Sequence, residues 1–159
     1  MLRSKSALKA LVAAAALAVP VGLMVPAQAT TSNGCTVTSV TPYANGDINV
    51  NGVKLVDYDV NVSCTPSALA KTVYVTMQRW EHDAWPGNDD LYGTSTWYHT
   101  FPAAGGSTKW KVTGTLPNMD GAPDNWAEVY QGTHFSVKTN GVLSPYTAYQ
   151  YTATRSIHQ

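Results

Sequence analysis

The sequence predicts an all-β chain: an antiparallel β-sandwich of about eight strands, immunoglobulin-like in architecture, with one disulfide and a cleaved signal peptide ahead of it. Three observations predict this. Apolar and polar residues alternate with period two along most of the chain beyond residue 30. Asn-Gly and Gly-Gly pairs punctuate the alternating runs. No stretch beyond residue 30 carries the 3.6-residue period of an amphipathic helix.

The first 29 residues read as an export signal. Arg3, Lys5 and Lys9 give a basic start, residues 10–25 are uncharged and rich in Ala, Val and Leu, and Ala27-Gln28-Ala29 is a small-x-small cleavage site. The apolar run is shorter than the roughly 20 residues of a membrane span and is broken by Pro20. The chain that functions is therefore predicted to be residues 30–159, a single secreted domain, with residues 30–34 a loose lead-in. Removing the signal takes three basic residues and no acidic ones, leaving seven Lys plus Arg against ten Asp plus Glu, a formal charge of −3. A mildly acidic chain with scattered basic residues has no general attraction for nucleic acid, and no polybasic run favours a membrane surface.

Strands are predicted near 35–41, 46–50, 53–64, 71–82, 92–101, 107–116, 125–138 and 146–157. In the third, Val56, Tyr58, Val60, Val62 and Cys64 alternate with Asp57, Asp59, Asn61 and Ser63, so one face is half of a core. In the fourth, Val73, Val75 and Met77 alternate with Tyr74, Thr76, Gln78 and Trp80. Trp110 and Val112 alternate with Lys109, Lys111 and Thr113, and Phe135 and Val137 with His134, Ser136 and Lys138. The last segment is rich in Tyr and Thr, as strands are. Asn45-Gly46, Asn51-Gly52 and Asn140-Gly141 are short-hairpin signals, because both residues tolerate positive φ. Gly105-Gly106, Pro86-Gly87 and Asp120-Gly121 are further breaks, and the longest loops fall at 81–91 and 116–125.

Cys35 and Cys64 are the only cysteines. An even pair in an exported chain reads as one disulfide, and Cys64 lies in the inward phase of its strand. No Trp stands between them and position 62 is Val, so the residue signature of true immunoglobulin domains is absent.

Aromatic residues are the distinctive part of the composition: five Trp, nine Tyr and two Phe. Exposed rings on a rigid sheet suit the apolar faces of sugar rings, and they serve protein interfaces equally well. Trp80 is out of phase with the core set, Trp85 lies in a Pro-Gly loop and Tyr92 follows an acidic tip. Trp80, Trp85 and Tyr92, with Asn88 and Asp90 as hydrogen-bonding groups, are therefore the candidate ligand-contacting surface. Glu81-His82-Asp83 and Asn88-Asp89-Asp90 have the chemistry of a calcium site but not EF-hand spacing, and read as a solvated acidic loop. The four histidines form no zinc-binding pair, and no Gly-x-Ser-x-Gly motif supports a nucleophilic serine. No cofactor is expected. The leading functional expectation is a non-catalytic binding module whose partner is a glycan or another protein. Two alternatives stand beside it: a small hydrolase using Glu81, Glu128 or a histidine, and an inhibitor or toxin-associated protein acting through the 81–91 loop.

Overall fold

The computed structural model describes residues 28–83, 89–117 and 126–158. The signal sequence before residue 28, the Pro86-Gly87 and Asp120-Gly121 turns, Trp85 and Asn88 lie outside the described residues. The described chain forms β1 (Gln28–Ser32), β2 (Cys35–Ser39), β3 (Tyr43–Ile48), β4 (Lys54–Cys64), β5 (Lys71–Glu81), β6 (Asp90–Phe101), β7 (Gly106–Thr115), β8 (Trp126–Thr139), β9 (Val142–Leu143), β10 (Gln150–Tyr151) and β11 (Arg155–His158). Among these residues no helix is long and apolar enough to cross a membrane.

All pairings are antiparallel, in two sheets. In the five-stranded sheet, β4 pairs with β7 from Leu55 to Cys64, while β2 and β3 pair with β4 in succession and β1 adds outside β2. In the six-stranded sheet, β5 lies between β6 and β8, and the short β9, β10 and β11 pair along the other edge of β8.

The alternating patterns meet between the sheets. Val56, Tyr58, Val60 and Val62 from β4 and Val37 from β2 face Val73, Val75 and Met77 from β5 and Val129, Phe135 and Val137 from β8, all buried in one cluster. Each such side chain contributes about 1.5–3 kcal/mol by leaving water. A polar clasp joins the sheets at one side. Ser39 and Thr133 share a hydroxyl hydrogen bond at 2.6 Å, and the buried Gln131 amide donates to the carbonyls of Val40 and Asp59. Trp97 of β6 stacks on Trp110 of β7 between the two sheets, with ring centroids 5.6 Å apart and planes within 6°.

Cys35 and Cys64 form the predicted disulfide. They are directly opposite one another on the neighbouring strands β2 and β4, with Cα atoms 4.0 Å apart, so the bridge lies within one sheet rather than between the two.

Three local expectations are corrected. Residues 30–34 are not a loose lead-in. Asn33 and Gly34 take φ of 50° and 71°, the positive values that a tight hairpin turn needs, and they fold β1 back onto β2. Asn45-Gly46 is not a hairpin turn. It lies inside β3, where Gly46 at φ 90° accompanies a register shift between Ala44 and Ile48. The last segment is not one strand from 146 to 157. Between its short strands the tail answers β8 with hydroxyls: the amides of Gln131, Phe135 and Val137 donate to the Oγ atoms of Thr152, Thr147 and Ser144. The amides of those three tail residues donate back to the same three carbonyls. A hydroxyl thus replaces a backbone carbonyl at three rungs, and the edge of β8 stays satisfied while the tail departs from strand geometry.

An aromatic outer face as candidate functional site

The period-two alternation sends half of each strand of the six-stranded sheet outward, and on this sheet the outward half is ring-rich. From β5 it presents Tyr74, Thr76, Gln78 and Trp80, and from β6 Tyr98, Thr96 and Thr94 opposite the first three. From β8 it presents Ser136, His134, Gly132, Tyr130 and Glu128. Tyr151 of β10 lies opposite Gly132, where any side chain would collide with its ring.

These rings touch in two groups. Tyr98 lies over Tyr74 with centroids 5.9 Å apart. On β8, His134 is stacked by Tyr149 at 4.0 Å and approached by Tyr146 at 4.7 Å. Tyr149 continues to Tyr151 at 5.9 Å, Tyr151 to Tyr130 at 5.9 Å, and Tyr130 stacks on Trp80 at 6.2 Å with planes 6° apart. Tyr98 is 72% exposed, Tyr146 49% and Tyr151 45%. An open groove of about 270 Å³ runs between Tyr74, Thr76, Thr96, Tyr98 and Tyr146. Burial holds the His134 imidazole below its ordinary pKa, so it is neutral at pH 7.

At the far end of β5 the face becomes polar. Tyr130 donates to Asp89 Oδ2 at 2.7 Å, and His82 Nδ1 meets Asp89 Oδ1 at 2.9 Å. The Tyr130 hydroxyl first, then His82 and the Asp83 amide, hold the Asp89 carboxyl below its ordinary value against the opposing effect of burial. Ser156 donates to Glu128 at 3.1 Å beside this group.

The candidate residues read from the sequence are divided by the sheet. Trp80 faces outward, as its phase predicts, and is half-buried against Tyr130. Asp90 is exposed at the start of β6, opposite Glu81. Trp85 and Asn88 lie outside the described residues. Tyr92 faces inward, edge-on to the buried Tyr58 at 6.2 Å, so Trp80 and Tyr92 do not share a surface. The cause is a bulge. Arg79 pairs with Gly93 but Trp80 pairs with Leu91, so the extra residue, Tyr92, turns into the core and Leu91 takes the place beside Trp80. Gly93 leaves room there for the Arg79 guanidinium, which a side chain would have to displace. Glu81 and Glu128 are likewise on opposite sides: Glu81 is inward and 2% exposed, Glu128 outward against Ser156. Tyr146, Tyr149 and Tyr151 were missed as site residues. Their i, i+2 spacing at 149 and 151 was the available signal, but only the register with β8 brings them over His134 and Gly132.

The outward face of the five-stranded sheet is different. Tyr43 is its aromatic ring among the described residues. Its charges are paired: Lys111 to Asp57 at 2.8 Å, Lys109 to Asp59 at 2.7 Å, Thr113 and Asn45 to Asp57, and Tyr43 to Asp59. Burial would raise the Asp57 carboxyl, but the hydrogen bonds from Lys111, Thr113 and Asn45 outweigh it and hold the pKa below its usual value.

No family model matches the chain, and no curated protein matches it. Two solved structures are similar in outline. The X-ray structure of a Northeast Structural Genomics Consortium target has 12% identity and a TM-score of 0.46, covering 81% of this chain and 89% of that one. The crystal structure of a protein from Archaeoglobus fulgidus has 8% identity and a TM-score of 0.42, covering 83% and 98%. Neither likeness bears on function.

Proposed function

We propose that this is a secreted, non-catalytic binding module that holds a glycan on the outward face of its six-stranded sheet. The observation that carries the reading is the unequal division of rings. Six of the nine tyrosines lie on that one face, together with Trp80 and His134, in two groups of ring contacts that the groove separates. A soluble sheet normally turns polar residues to water, and a large exposed aromatic surface marks an interaction site. Thr76, Thr94, Thr96 and Gln78 stand between the rings, so the face offers both the apolar planes and the hydrogen-bonding groups that a sugar presents in return. Secretion is supported by the N-terminal pattern and by the disulfide, which persists in an oxidising compartment.

A glycan array probed with the wild-type protein and with Tyr98→Ala tests the reading. Binding that disappears in the variant supports it; a blank array overturns it. The inhibitor alternative makes the opposite demand, since Trp85→Ala would then abolish binding and Tyr98→Ala would not. For export, intact-mass measurement of culture supernatant is expected to find a chain beginning at Thr30, give or take a residue or two. Full-length protein found only in membranes would overturn it.

A further inference from the structure

The groove on the aromatic face narrows the class of glycan, and this step rests on the glycan reading. No charged side chain is among the residues that line it. His134 beneath Tyr146 is neutral, and the nearest cation on the face, Lys138, stands two residues beyond Ser136 on β8 and is exposed. The carboxylates of Asp89 and Glu128 are engaged at the far end by Tyr130, His82 and Ser156. An ionic ligand would find no partner inside the groove and would lose its hydration for nothing. A neutral hydroxyl-bearing one loses little. Ser136, opposite Tyr74, is fully buried and its Oγ has no hydrogen-bond partner, so the same face carries an unmet polar demand.

The direction of the rings adds a second constraint. They succeed one another across the strands, from Tyr98 on β6 through Tyr74 on β5 to Tyr146 over His134 on β8. With strands about 4.8 Å apart, this row crosses roughly 10 Å between the outer strand axes, and more to the tail beyond them. Among the described residues β6 is the edge strand, and no neighbouring strand closes that end of the row. We infer that the face binds an uncharged polysaccharide chain, laid across the strands and gripped along its interior rather than at its end.

Calorimetry with neutral hexasaccharides (gluco-, xylo-, manno- and N-acetylglucosamine-based) and with hexagalacturonate tests this. The expectation is binding to at least one neutral hexamer, at least tenfold tighter than to its disaccharide and unchanged when the reducing end is converted to the alditol. Tyr98→Ala and Tyr146→Ala should each weaken it at least tenfold with unchanged circular dichroism, and Lys138→Ala should leave it intact. Preference for hexagalacturonate, lost in Lys138→Ala, overturns the neutral-chain inference while the glycan reading survives. Equal affinity for disaccharide and hexamer, or loss on end reduction, overturns the interior grip. Failure of every glycan, neutral and acidic, overturns both the inference and the reading beneath it.

Discussion

On the outward face of the five-stranded sheet, Asp57 and Asp59 are buried beneath Lys111 and Lys109 and tied to Thr113, Asn45 and Tyr43. On the outward face of the six-stranded sheet, Tyr98, Tyr146 and Tyr151 stand open to water, while Ser136 Oγ and Trp80 Nε1 are enclosed without partners. The first face answers its polar groups apart from Asp59 Oδ1, which is enclosed without a hydrogen-bond partner. The second leaves apolar area exposed and polar atoms unanswered, and both deficits are of the kind a ligand removes. The two sheets share a core and a period-two pattern, so the difference lies wholly in the outward phase of their strands. One face maintains the fold; the other is available to a partner.

If that division holds, the largest effect on stability comes from the five-stranded sheet. Replacing Cys35 and Cys64 with Ala opens a loop of 29 residues in sequence separation, which the chain-entropy model values at about 3.5 kcal/mol. Denaturant unfolding should show that loss, while the affinity of the fraction that remains folded stays at the wild-type value. A parallel loss of affinity would mean that the aromatic face depends on the opposite sheet, and the division would break.

Next comes Asp57→Asn. It removes a buried charge and weakens three hydrogen bonds, with an expected cost of about 2 kcal/mol. The same residue sets a pH dependence. Its carboxyl has a lower pKa in the folded chain than its ordinary 3.8. The stability it contributes is therefore present above about pH 4 and is lost as pH falls through the lowered folded value. Asp89 acts in the same direction from the other face. Thermal melts from pH 7 to pH 2 should show a steep acid limb in the wild type and a shallower one in Asp57→Asn; identical limbs would remove Asp57 from the account.

Thr152→Val is expected to cost somewhat less, about 1–2 kcal/mol, because it leaves the buried backbone N–H of Gln131 without its acceptor. Hydrogen exchange should report faster exchange at Gln131 and its neighbours on β8, with β4 and β7 unchanged. This rung also shows where sequence reasoning stops. Val56 to Cys64 and Val73 to Met77 are legible as strands because each residue's role is local: its phase places it inside or outside. The tail is not, because Ser144, Thr147 and Thr152 act as surrogate carbonyls only once β8 lies beside them. Tyr92 fails for a related reason. One bulge at Arg79 and Trp80 inverts its phase, and nothing in residues 90–93 apart from Gly93 marks the bulge beforehand. β1 fails because Thr30, Thr31 and Ser32 carry no apolar alternation, although Asn33-Gly34 is as good a turn signal as Asn140-Gly141. The candidate site was legible to the extent that it is one strand: Tyr74, Thr76, Gln78 and Trp80 were readable as an outward set. The rings from 98, 130, 146, 149 and 151 join it through pairings between strands, which phase alone does not give.

The smallest stability effect gives the sharpest comparison. Tyr43 and Tyr98 are both exposed tyrosines on outward faces, and both are changed to Ala. Tyr43 donates to the buried Asp59 at 2.9 Å, so its loss leaves a carboxylate short of a partner and costs about 1–2 kcal/mol of stability. Tyr98 makes a tilted ring contact with Tyr74 and is otherwise in water, so its loss costs only about 0.5 kcal/mol, the value of one cross-strand pair. For a glycan the order should invert: Tyr98→Ala abolishes measurable binding and Tyr43→Ala leaves it unchanged. Unfolding curves and glycan titrations on the two purified variants check both halves together. If Tyr98→Ala destabilises as much as Tyr43→Ala and leaves binding intact, its ring is structural cover for the sheet. The aromatic face is then a second maintained face, and the 81–91 loop carrying Trp85 becomes the better place to seek the partner.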